Sequence, residues 1–174
     1  SEMVQLAAIE NIGTYLPRAV KDGSDLEARE HVAFANTMSG YSMVVGSCTS
    51  EHSMEHAMSA FHPALPHGAG LIMISVEYYR HFIEKHCCDE RFVRMAQALG
   101  MKDAKAPEDF ITALKKLQEE CGVSDLKMSD YGIGREELPA INENAWETMG
   151  GLFDLDRIKM NKAESLAILE ESYR

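Results

Sequence analysis

The feature that most constrains the fold of this chain is a helical spacing of apolar residues that recurs along its whole length. The first segment runs from Val4 to Leu16, with its apolar residues on one stripe, and Pro17 is expected to end it. Further segments of the same kind are separated by prolines and by glycines such as Gly100 and Gly122. No alternating run bounded by turn residues indicates a β-strand. The sequence therefore predicts an all-α protein, a multi-helix bundle of about eight helices.

The second predicted helix has the clearest start signal. Ser24 follows a turn and Glu27 stands three residues later, which is the spacing of a capping box with Ser24 as the N-cap. Small residues are frequent between Ala33 and Gly46 and would let neighbouring helices approach closely, so we expect this helix to be buried. The helices after the first are predicted over 24–46, from 47 or 49 to 61 or 62, and over 66–87, 89–99, 107–121, 135–149 and 162–173.

Composition argues against several classes of partner. The 174 residues carry a net charge of −11 and no stripe of Lys and Arg, so nucleic acid and anionic membranes are poor partners. The four cysteines show no C-x-x-C spacing, which fits the reducing cytoplasm. The most apolar stretch, 69–76, is too short to cross a bilayer, and the N-terminus shows no export signal. We expect one cytoplasmic domain of ordinary size, and the sequence leaves a homo-oligomer open.

Histidines cluster in one short stretch. Four of the seven are His52, His56, His62 and His67. On an α-helix His52 and His56 share a face, one turn apart, and the proline-containing turn at 63–66 could bring His67 against the same face. Neutral imidazole binds Zn, Fe and Cu, so the cluster predicts part of a divalent metal site. The competing interpretation is that these are partly exposed helix histidines with no shared role.

Two other metal motifs do not fit the cluster. A zincin needs Glu directly after the first histidine, where Ser53 stands, and a di-iron bundle needs two E-x-x-H pairs, of which the sequence has none. Glu51 and Glu55 flank the histidines and could orient their rings, although they could equally be solvated helix carboxylates.

Five stretches spread over nearly the whole chain resemble one enzyme family. They are A-R-E at 28–30, H-S-M-E-H-A-M-S-A at 52–60, L-P-H-G-A-G-L at 65–71, A-W-E-T-M-G-G-L-F at 145–153 and A-I-L-E-E-S-Y-R at 167–174. Together they resemble the C-terminal part of the iron-containing (group III) alcohol dehydrogenases. The resemblance implies a dehydroquinate synthase-like, metal-binding helical domain over 1–174. It also implies that a divalent metal, Fe²⁺ or Zn²⁺, and NAD(P) serve the interconversion of alcohols and aldehydes.

The resemblance further implies roles for individual histidines. His52 and His67 fall on metal ligands. His56 falls on the catalytic, cofactor-binding histidine that faces the nicotinamide and the substrate, and His62 would lie near the substrate pocket. In an alternative register His56 is the first ligand. That register shortens the connection to the Pro-His-Gly motif by several residues and puts Ala60 in the place of the second histidine, so the first register is preferred.

Two parts of the implied enzyme have no counterpart in these 174 residues. The family's other ligands are spaced D-x3-H, and no aspartate here has a histidine four residues later. Glu27 and His31 have the spacing but lie on what resembles a different helix, so we do not assign them as ligands. Gly132 and Gly134 lack the third glycine and the preceding strand of a dinucleotide-binding turn. We therefore expect a chain truncated at its N-terminus, without the NAD(P)-binding domain and inactive by itself.

Two other functions are left open by the sequence. One is a non-catalytic helical module for metal binding or protein interaction. The other is a fragment of an enzyme like glycerol dehydrogenase or dehydroquinate synthase. The P-H-G-A-G and M-G-G-L-F stretches favour the alcohol dehydrogenase over this second enzyme class.

Overall fold

The computed structural model describes residues 2–174, which form eight α-helices, three short 3₁₀ helices and no β-strand. The predicted all-α fold is thus confirmed. None of these helices has the length and apolarity needed to cross a membrane. The α-helices are α1 (Glu2–Lys21), α2 (Leu26–Gly46), α3 (Ser50–Phe61), α4 (His67–Glu84), α5 (Asp89–Ala98), α6 (Asp109–Glu120), α7 (Leu138–Met149) and α8 (Lys162–Ser172). The 3₁₀ helices are Met128–Tyr131, Arg135–Glu137 and Gly150–Leu155.

The predicted end of the first helix is wrong. Pro17 lies inside α1, which continues to Lys21. Two tertiary features hold its last turn although the proline has no N–H to donate: α2 packs along α1, and the Arg18 guanidinium pairs with Asp25 and Glu27, each at 2.8 Å. A local stop signal is therefore overridden by contacts with the next helix.

The predicted cap of the second helix is wrong by one residue. Asp25 is the N-cap of α2, and its Oδ1 accepts a hydrogen bond from the Ala28 backbone N–H at 3.0 Å. The Ser24 hydroxyl instead donates to Asp22 Oδ1 at 2.7 Å. An ionised carboxylate is the better partner for the positive end of a helix, which explains why Asp25 takes this position.

The helices gather into two compact units, and each unit is built from two separate stretches of chain. Unit 1 contains α1, α2, α5 and α6. The expectation that α2 is buried is wrong in this structure. Only Ala28 and Ala35 of α2 are buried, whereas Phe34 and Val44 are exposed. Within unit 1, α1 packs along α2 and covers only part of its surface.

Unit 2 comprises Cys48–Cys87 and Asp125–Arg174 and contains all four clustered histidines. In it α3 packs on α4 and α7, and α8 packs on the same two helices. The inward stripe of α3 is apolar because Met54, Ala57 and Met58 recur at helical spacing, and all three are buried. Other fully buried side chains of this core are Ile74, Leu138, Ile141 and Leu169. With its apolar stripe fixed inward, α3 turns its histidines toward α4 and the solvent.

Candidate metal centre

The start of the histidine-bearing helix is held by a residue from a distant part of unit 2. Thr49 is the N-cap of α3 but its side chain makes no capping hydrogen bond. Instead the Ser50 backbone N–H donates to Asp156 Oδ1 at 3.2 Å, across 106 positions of sequence. The Tyr78 hydroxyl, from α4, lies 3.0 Å from the same oxygen. Asp156 therefore ties the first turn of α3 to α4, just before His52.

Three imidazoles lie together where α3 meets the start of α4. The ring centroids of His52 and His67 are 5.4 Å apart, those of His56 and His67 are 5.2 Å apart, and those of His52 and His56 are 6.3 Å apart. His67 is the first residue of α4, directly after its N-cap Pro66. The turn at 63–66 thus returns the chain as expected, and His67 faces the two α3 histidines.

A buried carboxylate completes this group. Glu55 lies on α3 and its side chain is fully buried, while half of the His67 side chain is exposed. Glu55 Oε2 and His67 Nδ1 are in hydrogen-bond contact, and Glu55 Oε1 accepts a hydrogen bond from the Ser59 hydroxyl. One donor atom each from Glu55, His56 and His67 lie within 4.8 Å of one another, which is close enough for them to approach one ion.

The surroundings of the first imidazole, His52, favour its neutral form. Burial lowers the pKa of His52, and the neighbouring rings of His67 and His56 lower that pKa further. A neutral imidazole has the free lone pair that a metal needs. Burial also raises the pKa of Glu51 to about 8, although a hydrogen bond from Tyr79 opposes the shift. Glu51 is therefore largely uncharged at neutral pH and puts little negative charge beside His52.

The alternative interpretation of the two glutamates as solvated helix carboxylates is wrong. Glu51 is 8% exposed and Glu55 is fully buried. Burial of a carboxylate requires hydrogen-bond partners, which Tyr79 supplies to Glu51 at 3.4 Å and which Ser59 and His67 supply to Glu55.

His62 has a separate partner. It is the C-cap of α3, and its Nε2 lies 3.2 Å from Glu137 Oε2 at the start of α7. The Gly134 backbone N–H and His62 both lower the pKa of Glu137, the N–H more strongly. The carboxylate is therefore ionised beside the His62 ring.

Glu27 and His31, the other pair with ligand-like spacing, each have a structural partner in unit 1. Glu27 pairs with Arg18. The ring of His31 stacks on Tyr15, with centroids 3.7 Å apart, and its Nδ1 lies 2.6 Å from Asn11 Oδ1. Both side chains therefore have partners within their own unit.

The sequence named Glu55 as a residue that could orient the histidine rings, but it did not indicate two other residues that build this centre. These are Asp156, which caps α3, and Gly70, where a Cβ would lie 2.7 Å from Glu55 Cγ. The position of Glu55, three residues after His52 and on the same helix face, was the one readable signal. The other two roles depend on contacts between elements far apart in sequence.

The sequence of this chain is similar to those of known alcohol dehydrogenases. The sequence model of the Fe-containing alcohol dehydrogenase family, C-terminal part, matches residues 1–173. The chain is 28% identical over 178 aligned residues to a long-chain primary alcohol dehydrogenase of Thermoanaerobacter ethanolicus, an alignment that covers 99% of this chain and 44% of that enzyme. It is 30% identical over 154 residues to an NAD-dependent methanol dehydrogenase of Bacillus methanolicus, covering 82% of this chain and 38% of that enzyme.

Solved structures agree with the sequence matches. An archaeal halo-thermophilic alcohol dehydrogenase from a Red Sea brine pool superposes with a TM-score of 0.89 and 32% identity, covering 96% of this chain and 43% of that one. An alcohol dehydrogenase from Oenococcus oeni superposes with a TM-score of 0.86 and 25% identity, covering 99% of this chain and 44% of that one. The chain therefore spans less than half the length of each of these relatives.

Proposed function

We propose that this chain, which belongs to the Fe-containing alcohol dehydrogenase family, contributes the helical, metal-binding part of an NAD(P)-linked alcohol dehydrogenase or aldehyde reductase. In this proposal His52 and His67 hold a divalent ion, Fe²⁺ or Zn²⁺. The observation that carries the proposal is the approach of these two rings to 5.4 Å across a proline-containing turn.

The ring spacing suits a shared ion. Two imidazoles bound through nitrogen to one tetrahedral ion at about 2.0–2.1 Å have centroids about 5 Å apart. Both the His52–His67 pair and the His56–His67 pair meet this requirement. The spacing of the family motif favours His52 as the ligand, although the connection to His67 is about one residue longer than is usual in the family, and leaves His56 for the substrate side. The lowered pKa of His52 is compatible with this choice, since burial favours the neutral ring that a metal needs.

The chain's own residues would then have distinct tasks. His52 and His67 would hold an ion that, when bound, would supply Lewis-acid stabilisation of an alcohol or carbonyl oxygen, and NAD(P) would supply the hydride chemistry. His56 is exposed beside the two ligands, so it can contact the nicotinamide or carry a proton. His62, held by the ionised Glu137, would border the space for an alcohol or aldehyde.

The nucleotide-binding part would come from sequence outside these 174 residues. The family's D-x3-H ligand pair and a glycine-rich phosphate turn are both absent from this sequence. Two imidazoles are half of a four-ligand set, so metal bound to this chain alone should dissociate readily.

A Zn²⁺ titration of the ¹⁵N-histidine-labelled chain tests the ligand assignment. The ring nitrogens of His52 and His67 should shift on binding, and His52→Ala and His67→Ala should each abolish it. His62→Ala is the matched control and should bind as the wild type does. If His56→Ala abolishes binding and His52→Ala does not, the alternative register is correct. Zn²⁺ that shifts none of these rings would overturn the proposal.

A spectrophotometric assay of NADH oxidation tests the division of the active site. With Fe²⁺ or Zn²⁺, NADH or NADPH, and short-chain aldehydes, we expect no turnover by this chain above the His52→Ala/His67→Ala double variant. Turnover that is lost in the double variant would mean that these 174 residues hold a complete site.

A further inference from the structure

We infer that Glu55 is a positioning residue for His67: it holds the imidazole in the tautomer with its proton on Nδ1, so that Nε2 is free for a metal. This inference rests on the proposed function. It adds a residue outside the histidine cluster to the machinery of the site and assigns it a specific physical task.

The burial of Glu55 makes it a fixed acceptor. Its side chain is fully buried, and both carboxylate oxygens have protein partners, Ser59 on Oε1 and His67 on Oε2. A buried carboxylate held at both oxygens has little freedom to rotate, so it presents Oε2 to His67 in one orientation. His67, by contrast, is the first residue of α4 and half exposed, so it depends on such a partner for its orientation.

The neighbouring helix is built around this carboxylate. A Cβ placed on Gly70 would lie 2.7 Å from Glu55 Cγ and 2.9 Å from Oε1. Any larger residue at position 70 would thus collide with the glutamate. Because Gly70 is only one turn after His67, the same helical turn both delivers the ring and leaves room for its acceptor.

The hydrogen-bond chemistry then fixes the tautomer. A neutral imidazole carries one N–H donor and one lone-pair acceptor, and an ionised carboxylate only accepts. With the Glu55 carboxylate as the acceptor, His67 donates from Nδ1, and the lone pair is left on Nε2. A carboxylate behind a ligating histidine also makes the imidazole a stronger base and a better ligand.

His62 provides an internal contrast. Its Nε2, rather than its Nδ1, faces the carboxylate of Glu137. The same reasoning predicts the opposite tautomer, with the proton on Nε2 of His62. The two histidine–glutamate pairs of unit 2 should therefore be distinguishable in one spectrum.

Direct binding of Glu55 to the ion is the competing role, because its donor atom lies within 4.8 Å of those of His56 and His67. The complete burial of Glu55 and the use of both of its oxygens favour positioning over ligation. X-ray absorption of the Zn²⁺-loaded chain distinguishes the two, since loss of an oxygen ligand in Glu55→Gln would assign Glu55 as a ligand and overturn the inference.

The decisive experiment measures ring tautomers and metal affinity in the full 174-residue chain. Long-range ¹H–¹⁵N spectra of the chelator-treated protein, above the usual histidine pKa of about 6.5, should give Nδ1–H for His67 and Nε2–H for His62. Glu55→Ala should mix the tautomers of His67 and weaken Zn²⁺ binding about 10- to 100-fold. Glu55→Gln keeps an acceptor oxygen without the charge and should lose less. Glu137→Gln is the matched control and should leave His67 and Zn²⁺ affinity unchanged.

The possible results separate this inference from the proposed function. If Zn²⁺ binds through His52 and His67 but the Glu55 variants bind it as tightly as the wild type, the positioning role is wrong and the proposed function stands. A proton found on Nε2 of His67 has the same meaning. If Zn²⁺ shifts neither ring, both fail. Circular dichroism of each variant confirms that the helices are retained, and Glu55→Gln, which preserves volume, keeps the test valid if Glu55→Ala does not fold.

Discussion

Gly70 and Glu55 are in such close contact that a methyl group on the glycine would come within 2.7 Å of the glutamate Cγ. The contact joins the first turn of α4, which begins with His67, to the middle of α3. The position of the His67 ring relative to His52 and His56 therefore depends on Gly70, which is not itself a ligand.

Gly70→Ala should destabilise unit 2 and disturb the histidines. The new Cβ must displace the buried Glu55 side chain, and overpacking of this kind costs about 1–3 kcal/mol. Gly68→Ala is the matched control, because a Cβ at Gly68 meets nothing within 4 Å and alanine favours the helix. Urea unfolding, followed by the fluorescence of Trp146, the single tryptophan, measures the free energy of unfolding of both variants. Equal stability of the two variants would contradict the steric role of Gly70.

The free energy of unfolding of the Asp156→Asn variant should increase relative to that of the wild type as the pH rises above about 4. Burial raises the pKa of Asp156, although hydrogen bonds from Ser50 and Tyr78 oppose the shift. The folded state therefore prefers the protonated carboxyl. The stabilisation that the protonated Asp156 carboxyl gives the folded state is complete below the unfolded pKa of 3.8. It is lost as the pH rises through the higher pKa of the folded state.

Asparagine does not titrate and keeps an oxygen for the Ser50 N–H, so it escapes this loss. The measurement is the difference in free energy of unfolding between Asp156→Asn and the wild type at several pH values between 4 and 7. Asp154→Asn, at an exposed aspartate, is the control and should show no such trend. A difference that is constant with pH would show that Asp156 is not destabilised by burial.

Ser165→Ala should cost about 1–3 kcal/mol, because it leaves buried polar groups without partners. The Ser165 hydroxyl is fully buried, donates to Asn142 Oδ1 at 2.6 Å and accepts from Trp146 Nε1 at 2.9 Å. Ser39→Ala on α2 is a control at an exposed serine and should change stability by no more than about 0.5 kcal/mol. Urea unfolding provides both values, and a Ser165 variant as stable as Ser39→Ala would refute the role of this network.

Zn²⁺ should stabilise the chain, and a chelator should reverse the effect. An ion that binds only the folded state at about 100 times its Kd raises the free energy of unfolding by about 2.7 kcal/mol. The increase should vanish in His52→Ala and His67→Ala. Ca²⁺, which prefers oxygen ligands, serves as the control ion and should have no effect. An equal increase with Ca²⁺ would point to nonspecific binding by the acidic surface.

The sequence alone determined the helices of this protein and the shared face of His52 and His56. Helical hydrogen bonds join residues four positions apart, so apolar spacing and nearby glycines and prolines encode where most helices lie. The end of α1 shows where such local signals fail. Pro17 should have ended α1, but α2 and the ion pairs of Arg18 carry the helix past it.

The sequence indicated that the turn at 63–66 could return His67 to the α3 histidines, but only the tertiary structure decided how the site is assembled. The distances between these rings, the pairing of Glu55 with His67, the fit of Gly70 and the capping of α3 by Asp156 all depend on contacts between separate elements. So does the division into two units, each formed by two separate stretches of chain. The physical reason is that such contacts are fixed by the packing of whole helices, and a short stretch of sequence does not contain the identity of its distant neighbours.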